Sequence, residues 1–405
     1  MGRFQGLLGI TVILGLAIAM SRHRSRINWR TLGVGLTLQV LFALLVLKWE
    51  PGFRALEAVA KAFTEAIAFA DKGTAFVFGP LLPEPGKGFV FALNVLPVII
   101  FLGAIIGALY YLRVIQYVVD IVGTGLQKLL GTSKVEGIWA TTVIFLGQSE
   151  APLMIAPYIR TLTTAELFTC MTGGFAAVAG STLIGYSLLG APLPYLLAAS
   201  VMNAPGSLLM AKAFFPETET PTNDASVRDV RDTESRNLID AIGRGAMNGG
   251  RIAVIVACLL IAFVALIALG SAMVGGLGHL FGQEGWSLES LFGLLFAPVA
   301  WLIGTPWNEA MSVGNFIGQK TVLNEFVGFT AFSQQVDTLS PKAVMISSFA
   351  LAGFANLSSI AIQIGAFGGL CPERRGDVAK LGMLALLAGT CTNLLNAAIV
   401  GVVAS

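Results

Sequence analysis

The sequence predicts an all-α polytopic membrane protein, and three observations carry that expectation. Hydrophobic residues make up 55% of the chain and charged residues only 12%, about half the charged share of an ordinary soluble domain. Apolar runs close to the ~20 residues that cross a bilayer recur along the whole length. Two further apolar stretches are interrupted by Gly, Pro and carboxylates, which lipid tolerates only where protein or water lines them.

Apolar segments fall at 4–20, 31–48, 88–112, 164–190, 192–214, 252–274, 343–368 and 378–403. The first is followed by Arg22, Arg24, Arg26 and Arg30 and preceded only by Arg3. Positive charge stays on the cytoplasmic side, so the expectation is a retained helix with its N-terminus outside rather than a cleaved signal. In 53–79, Phe53, Leu56, Val59, Ala60, Phe63 and Ile67 follow helical spacing, with Glu57, Lys61 and Glu65 between them. That pattern fits an amphipathic helix lying in the membrane interface or packed on the protein's own outer surface. Residues 216–245, PETETPTNDASVRDVRDTESRNLIDAIGRG, alternate acids with arginines and read as an aqueous connector between two membrane halves.

The interrupted stretches are 134–162 and 290–335. The first contains LGQSEAPL (146–153) and is followed by the small-residue run GGFAAVAGSTLIGY (173–186). The second contains IGTPWNEAM (303–311) and is followed by ISSFALAGFANLSSIAI (346–362). Matching Gly147 with Gly304 suggests an internal repeat whose broken segments, each with an amide beside a carboxylate, mark a transporter binding site. The expected picture is two hairpins entering from opposite sides, with Gly147 and Pro152 at one break, Gly304 and Pro306 at the other, and Glu309 capping the second tip.

Several function classes fall away. A net charge of +2 without a Lys/Arg tract argues against nucleic-acid binding. Cys170, Cys258, Cys371 and Cys391 have no metal-ligand spacing and read as small packing residues. His23 and His279 leave little for a zinc site, and no HExxH, GxSxG or P-loop motif is present, so no enzyme and no cofactor are expected. The intramembrane polar set is Glu150, Glu309 and Glu325 with Gln148, Ser149, Asn308, Asn324, Asn356, Ser358 and Ser359. Neither expected tip contains Lys or Arg, so an anion would lack its usual partner. The residues alone leave a polar uncharged solute, a cation, or both.

GQSEAPL (147–153), GTPWNEA (304–310), NEFV (324–327) and GFANLSSIAI (353–362), in that order, resemble the concentrative nucleoside transporter family over essentially the whole chain. The resemblance implies a homotrimer of protomers with eight spanning helices, two re-entrant hairpins and an interfacial helix. A transport domain would move elevator-fashion on a trimeric scaffold in the inner membrane, surrounded by lipid. It implies import of nucleosides such as uridine, cytidine or adenosine together with a cation. By motif, Gln148, Ser149 and Glu150 would meet the nucleobase, Glu325, Asn356 and Ser359 the ribose, and Thr182 and Phe354 would flank the ligand. Sodium-coupled members use two side-chain oxygens where this chain has Val143 and Ala177, leaving backbone near Leu146 and Val178. Proton coupling through Glu150 or Glu325 is therefore the preferred expectation, with sodium symport or a cation channel or exchanger as alternatives.

The expected divisions are 1–130 for N-terminal helices, interfacial helix and scaffold, then 131–215 for the first hairpin and unwound helix. The connector follows at 216–250, a scaffold helix at 251–289, and the second hairpin, second unwound helix and C-terminal helix at 290–405.

Overall fold

A computed structural model of the chain describes residues 2–82, 90–221, 230, 232–280, 282 and 285–404. Among them there are helices and no strand. In chain order the helices are α1 (Gly2–Ala19), α2 (Trp29–Leu47), α3 (Glu50–Phe78), α4 (Phe91–Asn94), α5 (Leu96–Tyr111), α6 (Val114–Leu130) and α7 (Lys134–Phe145). Then follow α8 (Thr164–Ala176), α9 (Gly180–Leu188), α10 (Leu193–Phe214), α11 (Leu238–Leu280) and α12 (Leu288–Leu302). The chain closes with α13 (Trp307–Val322), α14 (Glu325–Ser333), α15 (Pro341–Leu351), α16 (Leu357–Leu370) and α17 (Arg375–Val403).

Two copies of one motif organise the middle and end of this series. In the first, α7 leads to a tip at 146–150 and returns as a 3-10 helix, Ala151–Thr161. Pro152 and Pro157 lie in that return limb, where each removes an amide donor an α-helix would need. The helix broken between α8 and α9 and the unbroken α10 complete the unit. In the second copy α13 and α14 form the hairpin, α15 and α16 the broken helix, and α17 the long partner. The broken helices start at Thr164 and Pro341, and their second halves at Gly180 and Leu357. Both intervals are 177 residues by those numbers.

This corrects the expected repeat. The counterpart of the Gly147 tip is the turn at 323–324 between α13 and α14, not Gly304. Residues 303–306 form instead a 115° bend between α12 and α13, with Gly304 at φ +106°. Glu309 lies at the open base of the second hairpin, where Ser340 donates its backbone N–H to Oε1 (2.6 Å) and its hydroxyl to Oε2 (2.7 Å). The GTPWNEA pattern misled because a Gly-Pro bend at a hairpin's mouth has the same composition as a bend at its tip.

The hairpins open toward opposite ends of α17. At its start, the Arg374 guanidinium donates to Leu162 O at 2.7 Å, beside the first hairpin's base. Near its end Gly401 faces Ile303 O, beside the base of the second hairpin. Capping boxes start the helices at the first face, Ser133 with Glu136 on α7 and Thr163 with Glu166 on α8. Glu136 also meets the buried Lys212 of α10 at 2.5 Å.

Six helices are long and apolar enough to cross a membrane, or seven if the bent α12–α13 pair counts as one span, among the described residues. They run Trp29–Leu47, Phe91–Tyr111, Thr164–Leu188, Leu193–Phe214, Leu238–Leu280 and Pro372–Val403. Helix α1 and the two halves α15 and α16 are apolar but shorter. The α11 helix starts at Leu238, inside the expected connector, whose residues 222–229 and 231 lie outside the described ones. The α3 helix is amphipathic as expected, with Ala60 buried, although Val59 is exposed.

Helices α1 and α2 pack on α17 and α10 rather than on α5 and α11. Gly6 and Gly9 of α1 lie against Ala398 of α17, and Gly35 of α2 lies against Leu209 of α10. The α5 and α11 helices instead cross each other at Gly103, Gly107, Gly245 and Gly249. At Gly245 a Cβ would stand 2.4 Å from Gly103 O, so only glycine permits that approach.

Candidate functional site

Four breaks in regular structure meet in the middle of the molecule: the two hairpin tips and the gaps α8/α9 and α15/α16. Asn324 and Asn356 start the helices after two of these breaks. Asn324 Oδ1 accepts from Val327 N at 3.0 Å, and Asn356 Oδ1 accepts from Ser359 N at 2.9 Å, each acting as an N-cap. The cap places Glu325 in the first turn of α14, where the helix dipole favours a carboxylate.

Glu325 is buried with both oxygens engaged. Tyr186 OH of α9 donates to Oε1 at 3.0 Å, and Asn356 Nδ2 donates to Oε2 at 2.8 Å. Ser358 donates to Asn356 Oδ1 at 2.7 Å. On the facing tip, Gln148 Nε2 donates to Ser359 Oγ at 2.7 Å, and its Oε1 accepts from Gln363 Nε2 at 3.1 Å. Gln148, Glu325, Asn356 and Ser359 are thus brought into one hydrogen-bonded neighbourhood built from both hairpins and both broken helices.

The other expected residues are placed around it. Thr182 is buried on α9 and donates to Ala179 O at 3.0 Å. Phe354 is buried in the second gap, its amide bonded to Ala177 O at 3.1 Å. Ser149 is exposed and Glu150 half-buried. Glu150 does not join the Glu325 cluster; with Leu146 and Ser181 it lines a cavity of about 490 Å³ that reaches Gly103, Gly107 and Arg244. Val143, Leu146, Ala177 and Val178 are buried. The Ala177 carbonyl accepts from the Phe354 amide. No group of three or more His, Cys, Asp or Glu is placed to hold a metal ion among the described residues.

Three buried polar side chains near the breaks are not singled out by the sequence pattern: Tyr186, Gln363 and Lys320. Lys320 is 1% exposed, and its ammonium donates to Asn393 Oδ1 at 2.7 Å and Ala350 O at 3.1 Å. Asn393 in turn donates to Ala176 O, Ala352 O and Asn203 Oδ1. One polar cluster therefore holds the carbonyl ends of α8 and α15, where an α-helix leaves acceptors unsatisfied. Gly353 makes room for it, since a Cβ there would stand 2.2 Å from Asn393 Oδ1. A lysine four residues before NEFV (Asn324–Val327) was the available signal, a charge in an otherwise buried stretch.

Comparisons with known proteins agree with this architecture. Residues 195–401 match the family described as "Na+ dependent nucleoside transporter C-terminus", residues 8–81 its N-terminal counterpart, and residues 92–193 the "Nucleoside recognition" family. The chain is 51% identical over 397 residues to the "Uncharacterized transporter YutK" of Bacillus subtilis, covering 98% of each. It is 43% identical to the "Putative nucleoside permease NupX" of Escherichia coli, covering 98% of each. It is 39% identical to the "Nucleoside permease NupC" of Helicobacter pylori, covering 97% of this chain and 96% of that one. Among solved structures, CNTnw in an inward-facing substrate-bound state superposes with a TM-score of 0.95 at 45% identity, covering 100% of this chain and 98% of that one. With its full length matched at these identities, its helical membrane architecture and its paired hairpins, the chain belongs to the concentrative nucleoside transporter family.

Proposed function

We propose that the protein imports nucleosides across the inner (plasma) membrane, driven by a co-transported proton. The observation that carries this reading is the buried Glu325 carboxylate, held by Tyr186 and Asn356 beside the Gln148–Ser359 pair. A buried carboxylate with an adjacent amide suits the two ribose hydroxyls, which donate and accept. A sugar lacking one hydroxyl would leave an acceptor unpaired and be rejected. Gln148 both gives and takes hydrogen bonds at a base edge, so uridine, cytidine and adenosine are all candidate substrates. Thr182 and Phe354 flank the ligand, and Ser149 and Glu150, on the Gln148 tip but outside the Glu325 cluster, would meet the base from the cavity side.

The rest of the family's scheme follows in the same terms. Helix α1 and the broken α15–α16 bring the spanning helices to eight, with α3 as the interfacial helix. The α5–α11 pair belongs to a trimeric scaffold, and the two repeats move against it as an elevator, with α1 and α2 attached to them. Arg22, Arg24, Arg26, Arg30, Lys128, Lys134 and Arg374 gather at the first hairpin's face, making it cytoplasmic and the N-terminus external.

Proton coupling is supported by the hydrocarbon side chains at Val143 and Ala177. A hard cation needs oxygen ligands. One charge moving down 100 mV yields about 2.3 kcal/mol, more than the ~1.4 kcal/mol needed for tenfold accumulation. The sodium-dependent description of the matching family keeps sodium symport as the second reading. Reconstitution in liposomes with imposed proton or sodium gradients and labelled uridine, adenosine and an unrelated sugar tests both. Saturable nucleoside uptake on a proton gradient is expected. Uptake driven by sodium at equal pH favours the second reading, and no saturable uptake under any gradient removes the nucleoside assignment.

A further inference from the structure

The two carboxylates on the hairpin tips have opposite surroundings. Glu325 is engaged by Tyr186 and Asn356, whereas the Lys320 ammonium is engaged elsewhere. That ammonium is fixed by Asn393 and Ala350, and α14 packs on its stem at Gly328, where a Cβ would stand 3.1 Å from Lys320 Cβ. The Asn356 NH2 group can only donate, so it holds Glu325 Oε2 as an acceptor.

Glu150 differs on every count. It is half-buried at the wall of the cavity of about 490 Å³. The titratable groups lining that cavity with it are Tyr110, Tyr158, Asp232, Glu234 and Arg244. Arg244 is paired with Glu234. The cavity therefore links Glu150 to the polar connector while Glu325 stays behind the tips.

We infer that the coupling proton rides on Glu150, while Glu325, closed in behind the tips by Tyr186 and Asn356, travels with the substrate site without exchanging a proton. The inference rests on the proton-coupled reading above. The proton adds to a Glu150 carboxylate oxygen on the outer side and leaves that oxygen into the cavity on the inner side. The loaded carrier crosses with Glu150 neutral, and the empty carrier returns with it ionised. Each cycle then moves about one positive charge inward, and the membrane potential acts on the return step.

Proteoliposomes holding the full-length wild type, Glu150→Gln and Glu325→Gln separate the possibilities, with labelled uridine as probe. Glu150→Gln is expected to lose accumulation above the equilibrium level on a proton gradient, yet still to exchange internal for external uridine with a raised KM. Glu325→Gln is expected to lose both. Continued proton-driven accumulation by Glu150→Gln, or exchange without accumulation in Glu325→Gln, would overturn the assignment while leaving nucleoside transport intact. If Glu150→Gln does not fold, the wild-type reversal potential decides. About one charge per nucleoside agrees with a single titrating carboxylate; two charges, or none, contradict it. Wild-type uptake driven by sodium at equal pH removes the coupling ion and this assignment together.

Discussion

Gln148 and Ser359 are 211 positions apart in the chain and 2.7 Å apart in space. That contact joins the first hairpin's tip to the second broken helix, and Gln363 holds the same glutamine from its other side. The orientation of the Gln148 amide is thereby set before any ligand arrives, which reduces the ordering cost of binding.

The first prediction follows from that arrangement. Gln363→Leu removes a donor without touching the ligand, so KM for uridine should rise by about tenfold while the maximal rate changes little, the scale of one buried hydrogen bond. Gln148→Ala and Ser359→Ala should be coupled by about 0.5–3 kcal/mol in a double-mutant cycle on KM. Additive losses would show that the pair does not act together.

Glu325 and Glu309 should behave very differently. Glu325→Gln is expected to reduce uridine uptake by roughly 10- to 100-fold, the scale of a hydrogen bond to a charged group. Glu309→Gln only loosens the base of the hairpin at Ser340 and should lose less. With a 2′-deoxynucleoside the Glu325→Gln penalty should shrink. Equal losses from the two substitutions would contradict the ribose role.

Installing side-chain oxygens at the hydrocarbon positions Val143 and Ala177 tests the coupling ion. Val143→Asn with Ala177→Ser should introduce stimulation of uptake by sodium that the wild type lacks. Wild-type uptake already stimulated by sodium, measured at constant pH, would contradict the proton reading.

The Glu136–Lys212 pair offers a stability test at the first hairpin's base. Both residues are buried and their charged atoms are 2.5 Å apart. Glu136→Gln should destabilise by about 3–5 kcal/mol, because the ammonium is left buried with its closest counter-charge gone. Glu136→Leu with Lys212→Met should recover much of the loss. Thermal unfolding in detergent micelles reads both.

The α5–α11 crossing predicts a packing failure. Gly245→Leu forces a side chain into space closed by Gly103 O at 2.4 Å. It should cost about 1–3 kcal/mol or more, seen as reduced yield of folded protein, whereas Gly243→Ala, where no atom lies within 4 Å, should be tolerated.

Much of the fold was legible from the chain because lipid is a demanding solvent. An apolar stretch of spanning length has few alternatives to a helix, and segments 31–48, 192–214 and 378–403 appear as α2, α10 and α17 nearly residue for residue. Polar residues in such stretches were equally legible, since they stand out against hydrocarbon. Gln148, Glu325, Asn356 and Ser359 were named on that ground and converge.

What composition left open was where the chain turns and which polar group faces which. A Gly-Pro break reads the same at a hairpin's mouth as at its tip, and only the 177-residue interval between the broken helices sets the counterpart of Gly147 at 323–324 rather than at Gly304. Tyr186 and Gln363 look ordinary in their own segments and acquire partners only across the repeat, whereas Lys320 stands out as a charge in a buried stretch. Local sequence determined which segments are helices in oil, because that choice depends on each segment's own solvation. The pairing of Glu325 with Tyr186 and of Lys320 with Asn393 was decided by tertiary structure alone, because a hydrogen bond depends on distances that neighbouring residues in the chain do not set.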